Sequence, residues 1–213
     1  MTAQKRRLPT RKDAVENRER LLSGAEAYFA ERGIDAPLHG LASQVGVGIG
    51  TLYRNFSSQE ELIRALYDRC IARFDSIVAA ALAKPTGWEG VVELLTLWGT
   101  DHLAHPEAPA IMRRQAASDP EYRPAMVFIE PLALLVDRAK AEGKLRPDVG
   151  PGDLSALPFG LGALQHFPVE FRARVAARQL AIMIDGIRAE SASRDPLPFS
   201  ITNPSEFHDG IHR

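Results

Sequence analysis

The sequence predicts an all-α protein: an N-terminal three-helix helix-turn-helix domain followed by a C-terminal helical bundle. Three observations carry this. Apolar residues recur at helical spacing along most of the 213 residues, and no segment alternates as a half-buried strand would. Ala and Leu are abundant while only 7% of residues are aromatic, a composition that favours helix. Residues 46–56, Gly-Val-Gly-Ile-Gly-Thr-Leu-Tyr-Arg-Asn-Phe, read as a tight turn and the short helix that follows it.

The elements follow in order. Residues 1–12 read as a flexible basic arm. A first helix is expected over 13–31, where Val15, Leu22 and Phe29 recur every seven residues with Ala25 between them. Gly33 is a natural stop. Pro37 suits the opening turn of a second helix over 38–44, with Leu41 and Val45 facing inward. Gly46 permits the turn, Val47 is its apolar residue, and Gly48 precedes a third helix over 49–55. Ser57 and Ser58 are candidate N-caps of a fourth helix reaching 83. Its Glu60 and Glu61 suit the positive end of the helix dipole, and its apolar side is Leu62, Leu66, Phe74, Ile77 and Val78. Pro85, Gly87 and Gly90 mark a break. Further helices are expected over 89–104, 107–118, 120–142, 153–166 and 169–190, punctuated by Pro106, Pro120, Gly143, Pro147, Pro151 and Pro168. The domains are thus an arm (1–12), a helix-turn-helix domain (13–58), a ligand-binding and dimerisation domain (59–190) and an irregular tail (191–213).

The net charge of −1 hides an uneven distribution. Residues 1–56 hold nine Lys/Arg against six Asp/Glu, and the rest hold seventeen against twenty-one. The basic excess gathers at Lys5, Arg6, Arg7, Arg11 and Lys12, the electrostatic footprint of a phosphate-binding end. Cys70 is the one cysteine, so no internal disulfide forms, and an inert buried thiol in a reducing compartment fits. No apolar stretch follows the basic N-terminus as a signal peptide needs, and none approaches a membrane span, so a cytoplasmic protein is expected.

Leu52 and Phe56 lie four apart and share one helix face; Thr51, Tyr53, Arg54 and Asn55 fall mostly on the others. An apolar back and a short polar front are what a helix needs to lie in a DNA major groove. These residues also carry a family resemblance. With Leu22, Ala25, Phe29 and Gly33, then Leu41-Ala42, then Gly46 to Phe56, then Glu61-Leu62, residues 14–62 resemble the N-terminal domain of TetR-type bacterial transcriptional regulators. The segments Gly143-Lys144-Leu145-Arg146-Pro147-Asp148 and Asp185-Gly186-Ile187-Arg188 are similar to parts of the same family, more weakly.

The resemblance implies a homodimer that binds a palindromic operator in double-stranded DNA and releases it when a small-molecule effector enters the C-terminal domain. It implies that Ile49 reads bases, that Gly48, Thr51, Tyr53 and Asn55 lie against phosphates, and that Gly50 permits close approach. Three positions depart from the family pattern. Gly48 stands where Ser or Thr commonly caps the helix, a loss of only a few tenths of a kcal/mol, roughly. Pro37 replaces a common Thr or Ser, and Gln59 replaces a common Lys; Arg54 and the arm residues Arg6, Arg7, Arg11 and Lys12 compensate for the lost charge. Gln59 is still counted in the DNA-facing set.

The C-terminal half offers Phe74, Trp98, His102, Met112, Met126, Phe128, Phe159, Gln165, His166 and Phe167 as a pocket for a small apolar or amphipathic ligand. Pro158-Phe159-Gly160-Leu161-Gly162 predicts a kink. His102 and His105, three apart, are weak metal-ligand candidates with His166 or Glu107, and no metal or cofactor is expected. Leu157, Leu161 and Leu164, with Ala173, Ala177, Leu180, Ala181, Ile184 and Ile187, form two apolar stripes expected to meet their copies in a four-helix dimer interface. No nucleophile–base pair or phosphate loop supports an enzyme. The alternative is a dimeric helical binding or scaffold protein whose head no longer reads DNA specifically.

Overall fold

The computed structural model describes residues 11–191 and Leu197, the side chains of residues 11–14, 163, 165, 166, 169 and 191 excepted. Arg6 and Arg7 therefore lie outside the described residues, as do the tail beyond Ser191 save Leu197 and the side chains of Arg11, Lys12, Gln165 and His166. Among the described residues there are nine α-helices and no strand. They are α1 (Arg11–Arg32), α2 (Leu38–Val45), α3 (Ile49–Asn55), α4 (Gln59–Leu82), α5 (Gly87–Ala104), α6 (Ala108–Ser118), α7 (Ile129–Ala141), α8 (Pro151–Ala156) and α9 (Val169–Gly186). Three 3-10 segments, Pro124–Phe128, Leu157–His166 and Ala189–Ser191, complete the order. No described helix is long and apolar enough to cross a membrane.

The chain divides into two compact units at Leu66, inside α4, rather than at residue 58. The opening turns of α4 bury Leu62, Ile63 and Leu66, so they cluster with the first unit. In that unit α2 packs on α1 and α3 on α2. Leu21, Leu22, Ala25, Phe29, Leu41, Leu52 and Phe56 are buried, as their periodicity predicts, whereas Val15 is exposed near the start of α1. The helix now begins at Arg11, so the last arm residues belong to it.

The second unit is built around one core that gathers Phe74, Ile77, Val78 and Ala81 of α4 with Val91, Leu94 and Leu95 of α5 and Leu132, Leu135, Val136 and Ala139 of α7. Gly87 and Gly90, read as a break, lie within α5. A Cβ at Gly90 would meet the Ala81 carbonyl oxygen at 2.6 Å, and one at Gly87 would meet Arg138 C at 2.5 Å. These glycines mark close backbone approach, and the break is confined to 83–86. Thr86 starts α5 with a full capping box: its hydroxyl accepts from Glu89 N (3.1 Å) and its own N–H donates to Glu89.

Three predicted helices are shortened for identifiable reasons. The expected 120–142 helix begins as a 3-10 turn at Pro124 and becomes α-helical only at Ile129, because Pro124 lacks a backbone donor. The expected 153–166 helix is α8 followed by a 3-10 segment that starts where Pro158, Gly160 and Gly162 weaken α geometry. The last helix stops at Gly186 because the following residues pair elsewhere. Leu145 and Arg188 form an antiparallel bridge, Arg146 N donates to the Ile187 carbonyl (3.0 Å) and Ala189 N to the Lys144 carbonyl (3.0 Å). The two weakly familiar segments thus meet. Gly143, at φ 67°, supplies the left-handed turn that starts the first of them.

Arg146 grips Asp148 through two hydrogen bonds, 2.9 and 2.8 Å. That guanidinium, with the Leu197 backbone N–H donating at 3.0 Å, holds the Asp148 carboxyl well below the usual carboxylate range. A carboxylate depressed in the folded state stabilises it above the ordinary aspartate pKa of about 4, and this is lost as pH falls through the folded value. Asp148→Asn should therefore lower the thermal midpoint at pH 7 and lower it less and less below about pH 4. Midpoints measured from pH 7 to pH 3 check this; a constant difference would refute it.

Candidate functional site

In the first unit, α2 ends at Gly46 in the left-handed conformation (φ 74°), with Val47 N donating to the Ala42 carbonyl at 2.9 Å. The chain then reaches Gly48, the N-cap of α3, without a side-chain cap. Its carbonyl accepts from Thr51 N at 2.8 Å instead. Leu52 and Phe56 are both 0% exposed, while Ile49 is 42% and Tyr53 51% exposed, so α3 has the anticipated back and front. A Cβ at Gly48 or Gly50 would meet nothing within 4 Å, which leaves the helix start open to a partner. Ile49 and Tyr53 line an open groove of about 500 Å³ with Pro37, His39, Ser58 and Gln59.

Several polar residues of this face hold the unit together. Arg54 donates to the Thr51 hydroxyl (2.8 Å), and Asn55 Nδ2 donates to the Thr51 carbonyl (2.8 Å). Gln59 Nε2 donates to the Ile34 carbonyl (3.0 Å), which ties the start of α4 to the α1–α2 loop. The Pro37 carbonyl accepts from the Tyr28 hydroxyl (2.9 Å), and Gly40 leaves room for that hydroxyl, where a Cβ would collide with it. Ser58 caps α4 by accepting from Glu61 N at 3.1 Å. The Glu61 carboxylate accepts from Ser57 N and Oγ, both at 2.6 Å, and these bonds hold its pKa below the usual value.

Arg18 is the residue that sequence reasoning missed. Its guanidinium lies 4.3 Å from the Phe56 ring centroid and donates to the Asn55 carbonyl at 3.0 Å, closing the open end of α3. A lone Arg on the polar side of an amphipathic helix carries no signal of that role. His39 was also missed, although its place just after Pro37 put it beside the turn.

Residues 21–66 match the family model for bacterial regulatory proteins of the tetR family, and residues 100–189 match one described as the C-terminal domain of SbtR-like transcriptional regulators. The fold is similar to the crystal structure of the TetR transcriptional regulator SCO0520 from Streptomyces coelicolor, with 32% identity, 81% of this chain and 98% of that one covered, and a TM-score of 0.59. The chain belongs to the TetR family of bacterial transcriptional regulators. A TetR transcription regulatory protein from Mycobacterium vanbaalenii is similar at 26% identity over 84% of this chain and 98% of that one, TM-score 0.57. The HTH-type transcriptional regulator SAB2452 of Staphylococcus aureus is 37% identical over 65 residues, 30% of this chain and 35% of that protein. The chain thus spans about a third of the length of the curated relatives it matches.

In the second unit of this TetR-family chain, five of the ten predicted pocket residues form one aromatic run. Phe128 meets Phe74 edge-on with centroids 4.8 Å apart, Phe74 meets Trp98 edge-on, Trp98 lies 5.1 Å from His102, and His102 lies 4.6 Å from Phe159. Met126 and Phe167 are exposed and do not join it. Met126 sits in a 3-10 turn whose Phe128 takes the buried position, and Phe167 stacks on Phe171 instead. Met112 is half-buried beside the buried Ile111 on α6. Gln165 and His166 lie outside the described side chains.

His102 lies within α5 and His105 is its C-cap, and the two rings have different partners. His102 Nδ1 is engaged by the Trp98 carbonyl (3.0 Å), and His105 Nδ1 faces Glu107 Oε1 (3.2 Å). The Glu107 hydrogen bond raises the pKa of His105, whereas burial lowers that of His102. Cys70 is half-buried and its sulfur accepts from Arg73 at 3.4 Å.

The two apolar stripes are divided by the structure. Leu161 and Leu164 are buried against Ala176 within the chain, not presented outward. Leu157, Leu180 and Ile184 pack on the main core and Ile187 belongs to it. Ala173, Ala177 and Ala181 are the exposed members, and Phe171 and Ile182 are exposed on another side of α9.

Arg18→Ala should lower the stability of the first unit by about 1–2 kcal/mol, the combined scale of one cation–π contact and one charge-assisted hydrogen bond. Thermal unfolding of the full chain checks this, with Arg18→Lys retaining part of the loss. An unshifted midpoint would mean the contact contributes nothing.

Proposed function

We propose that this TetR-family chain is a homodimeric repressor that docks α3 of each protomer in the major groove of a palindromic operator and lets go when a small apolar or amphipathic ligand binds the second unit. It acts in the cytoplasm as a regulator, not as an enzyme. One observation carries the reading: α3 buries Leu52 and Phe56 and leaves Ile49, Gly50, Thr51 and Tyr53 along an open front. In this reading Ile49 meets base edges, and Gly48, Thr51, Tyr53 and Asn55 lie against phosphates. Arg54 and the basic arm, Arg6, Arg7, Arg11 and Lys12, add charge. Gln59 contributes by holding the α1–α2 loop in place.

A single seven-residue helix reads few bases. Two of them, spaced by about 34–36 Å, read two half-sites one turn apart. The exposed row of Ala173, Ala177 and Ala181 on α9 is the face we assign to the partner protomer. Small side chains let two helices approach closely and bury apolar area. Ligand release is a population shift: the effector favours a dimer state whose heads no longer match adjacent grooves. Turning a 1:99 mixture into 99:1 needs about a 10⁴-fold preference for that state.

Titration against the DNA upstream of the chain's own gene, beside a scrambled fragment at two salt concentrations, tests the reading. Tight fragment-specific binding that weakens with salt is expected, with Tyr53→Ala abolishing it while the thermal midpoint stays within a few degrees. Equal weak binding to both fragments would favour the scaffold alternative. Ala177→Asp should halve the mass in sedimentation without unfolding the protomer, since a charge would enter an apolar seam. An unchanged dimer mass would move the interface off this face of α9.

A further inference from the structure

Trp98 and His102 are one helical turn apart on α5 and face the same way. Each carries one buried polar atom with no hydrogen-bond partner among the described residues, Trp98 Nε1 and His102 Nε2. His102 is only 6% exposed. Leaving two such atoms unpaired costs folding free energy, and native structures rarely do so without a reason. The rings against them, Phe74 on Trp98 and Phe159 on His102, offer no hydrogen-bonding atom.

The two orphan atoms are complementary. The Trp98 indole nitrogen can only donate. His102 Nδ1 lies 3.0 Å from the Trp98 carbonyl, and a carbonyl only accepts, so Nδ1 carries the proton of a neutral ring and Nε2 carries the lone pair. Burial, which disfavours the charged imidazole, agrees with that assignment. The site therefore presents one donor and one acceptor, with ring centroids 5.1 Å apart, inside an aromatic wall.

We infer that the second unit binds an uncharged, apolar-bodied alcohol or phenol, whose hydroxyl oxygen accepts from Trp98 Nε1–H and whose hydroxyl proton is donated to His102 Nε2. The inference rests on the reading of the second unit as the effector domain and adds the chemical class of the ligand. A hydroxyl satisfies both atoms at once. An ether satisfies Trp98 alone, and a carboxylate brings no donor to Nε2 and pays the desolvation of a charge. A buried water typically makes about three hydrogen bonds, more than this pair supplies.

The test uses the full-length protein and small probes: phenol, cyclohexanol, anisole and benzoate. The indole N–H resonances of Trp88 and Trp98 are separated with a Trp88→Phe variant, and the ring nitrogens of His102 are followed by ¹⁵N correlation. Phenol and cyclohexanol should shift the Trp98 indole proton downfield and perturb Nε2. Anisole and benzoate should bind at least about tenfold more weakly, the scale of leaving a buried polar group unpaired. Trp98→Phe should erase the preference for phenol over anisole, and His102→Phe should do the same if the Trp98 variant fails to fold. Equal binding of phenol and anisole would overturn the inference. So would no perturbation by any probe, or an indole proton already hydrogen-bonded in the free protein. None of these readouts involves DNA, so a failed operator titration with a positive phenol response would sink the repressor reading alone, and the reverse pattern would sink this one alone.

Discussion

A seven-residue helix does not hold its shape in water, because nucleation costs more than so few turns return. Helix α3 exists because its neighbours capture it. Leu52 and Phe56 are pulled wholly out of solvent, and Arg18 closes the far end over the Phe56 ring and the Asn55 carbonyl. The polar front depends on that capture, since only a fixed back can aim Ile49 and Tyr53 consistently. The same logic explains why Gly48 and Pro37 are tolerated where hydroxyl caps are common. The backbone carbonyls of both residues are engaged, by Thr51 N and by the Tyr28 hydroxyl, and the missing side-chain caps are minor beside two buried anchors.

The second unit depends on close approach of another kind. Gly87, Gly90 and Gly99 of α5 face the backbone near Arg138, the Ala81 carbonyl and Leu161 Cδ1, each within the reach of a single missing methyl. Val91, Leu94 and Leu95 of α5 are then pressed into the core, and Trp98 and His102 into the aromatic run. Trp98 and His102 sit in this packing with Nε1 and Nε2 unpaired, so any group that paired with them would meet side chains already ordered by folding.

The head was legible because its signals are local. Periodicity placed Leu22, Phe29, Leu52 and Phe56 in the core, Gly46 in a turn and Ser58 at a cap, and the structure agrees at each. Composition singled out the five residues that meet in the aromatic run, and not the detail: Met126 and Phe167 share the chemistry but not the position. Leu161 and Leu164, three apart, share a face in either helix type; in this chain that face meets Ala176, a choice between neighbours that spacing alone does not make. Glycines were ambiguous for a physical reason: the sequence letter cannot distinguish a turn from a place where another backbone must come near, and Gly87 and Gly90 are the second kind.

The short pairing of residues 144–146 with 187–189 closes the intervening chain, α8, the 3-10 segment and α9, into a loop fastened at its own base. Loop-closure cost rises by only about 0.6 kcal/mol for each doubling of length. Residues can be gained, lost or exchanged between the two fastened ends while the clasp and its Arg146–Asp148 brace stay as they are. That makes the enclosed stretch a replaceable cassette, whose residues can change without renegotiating how the domain is tied together.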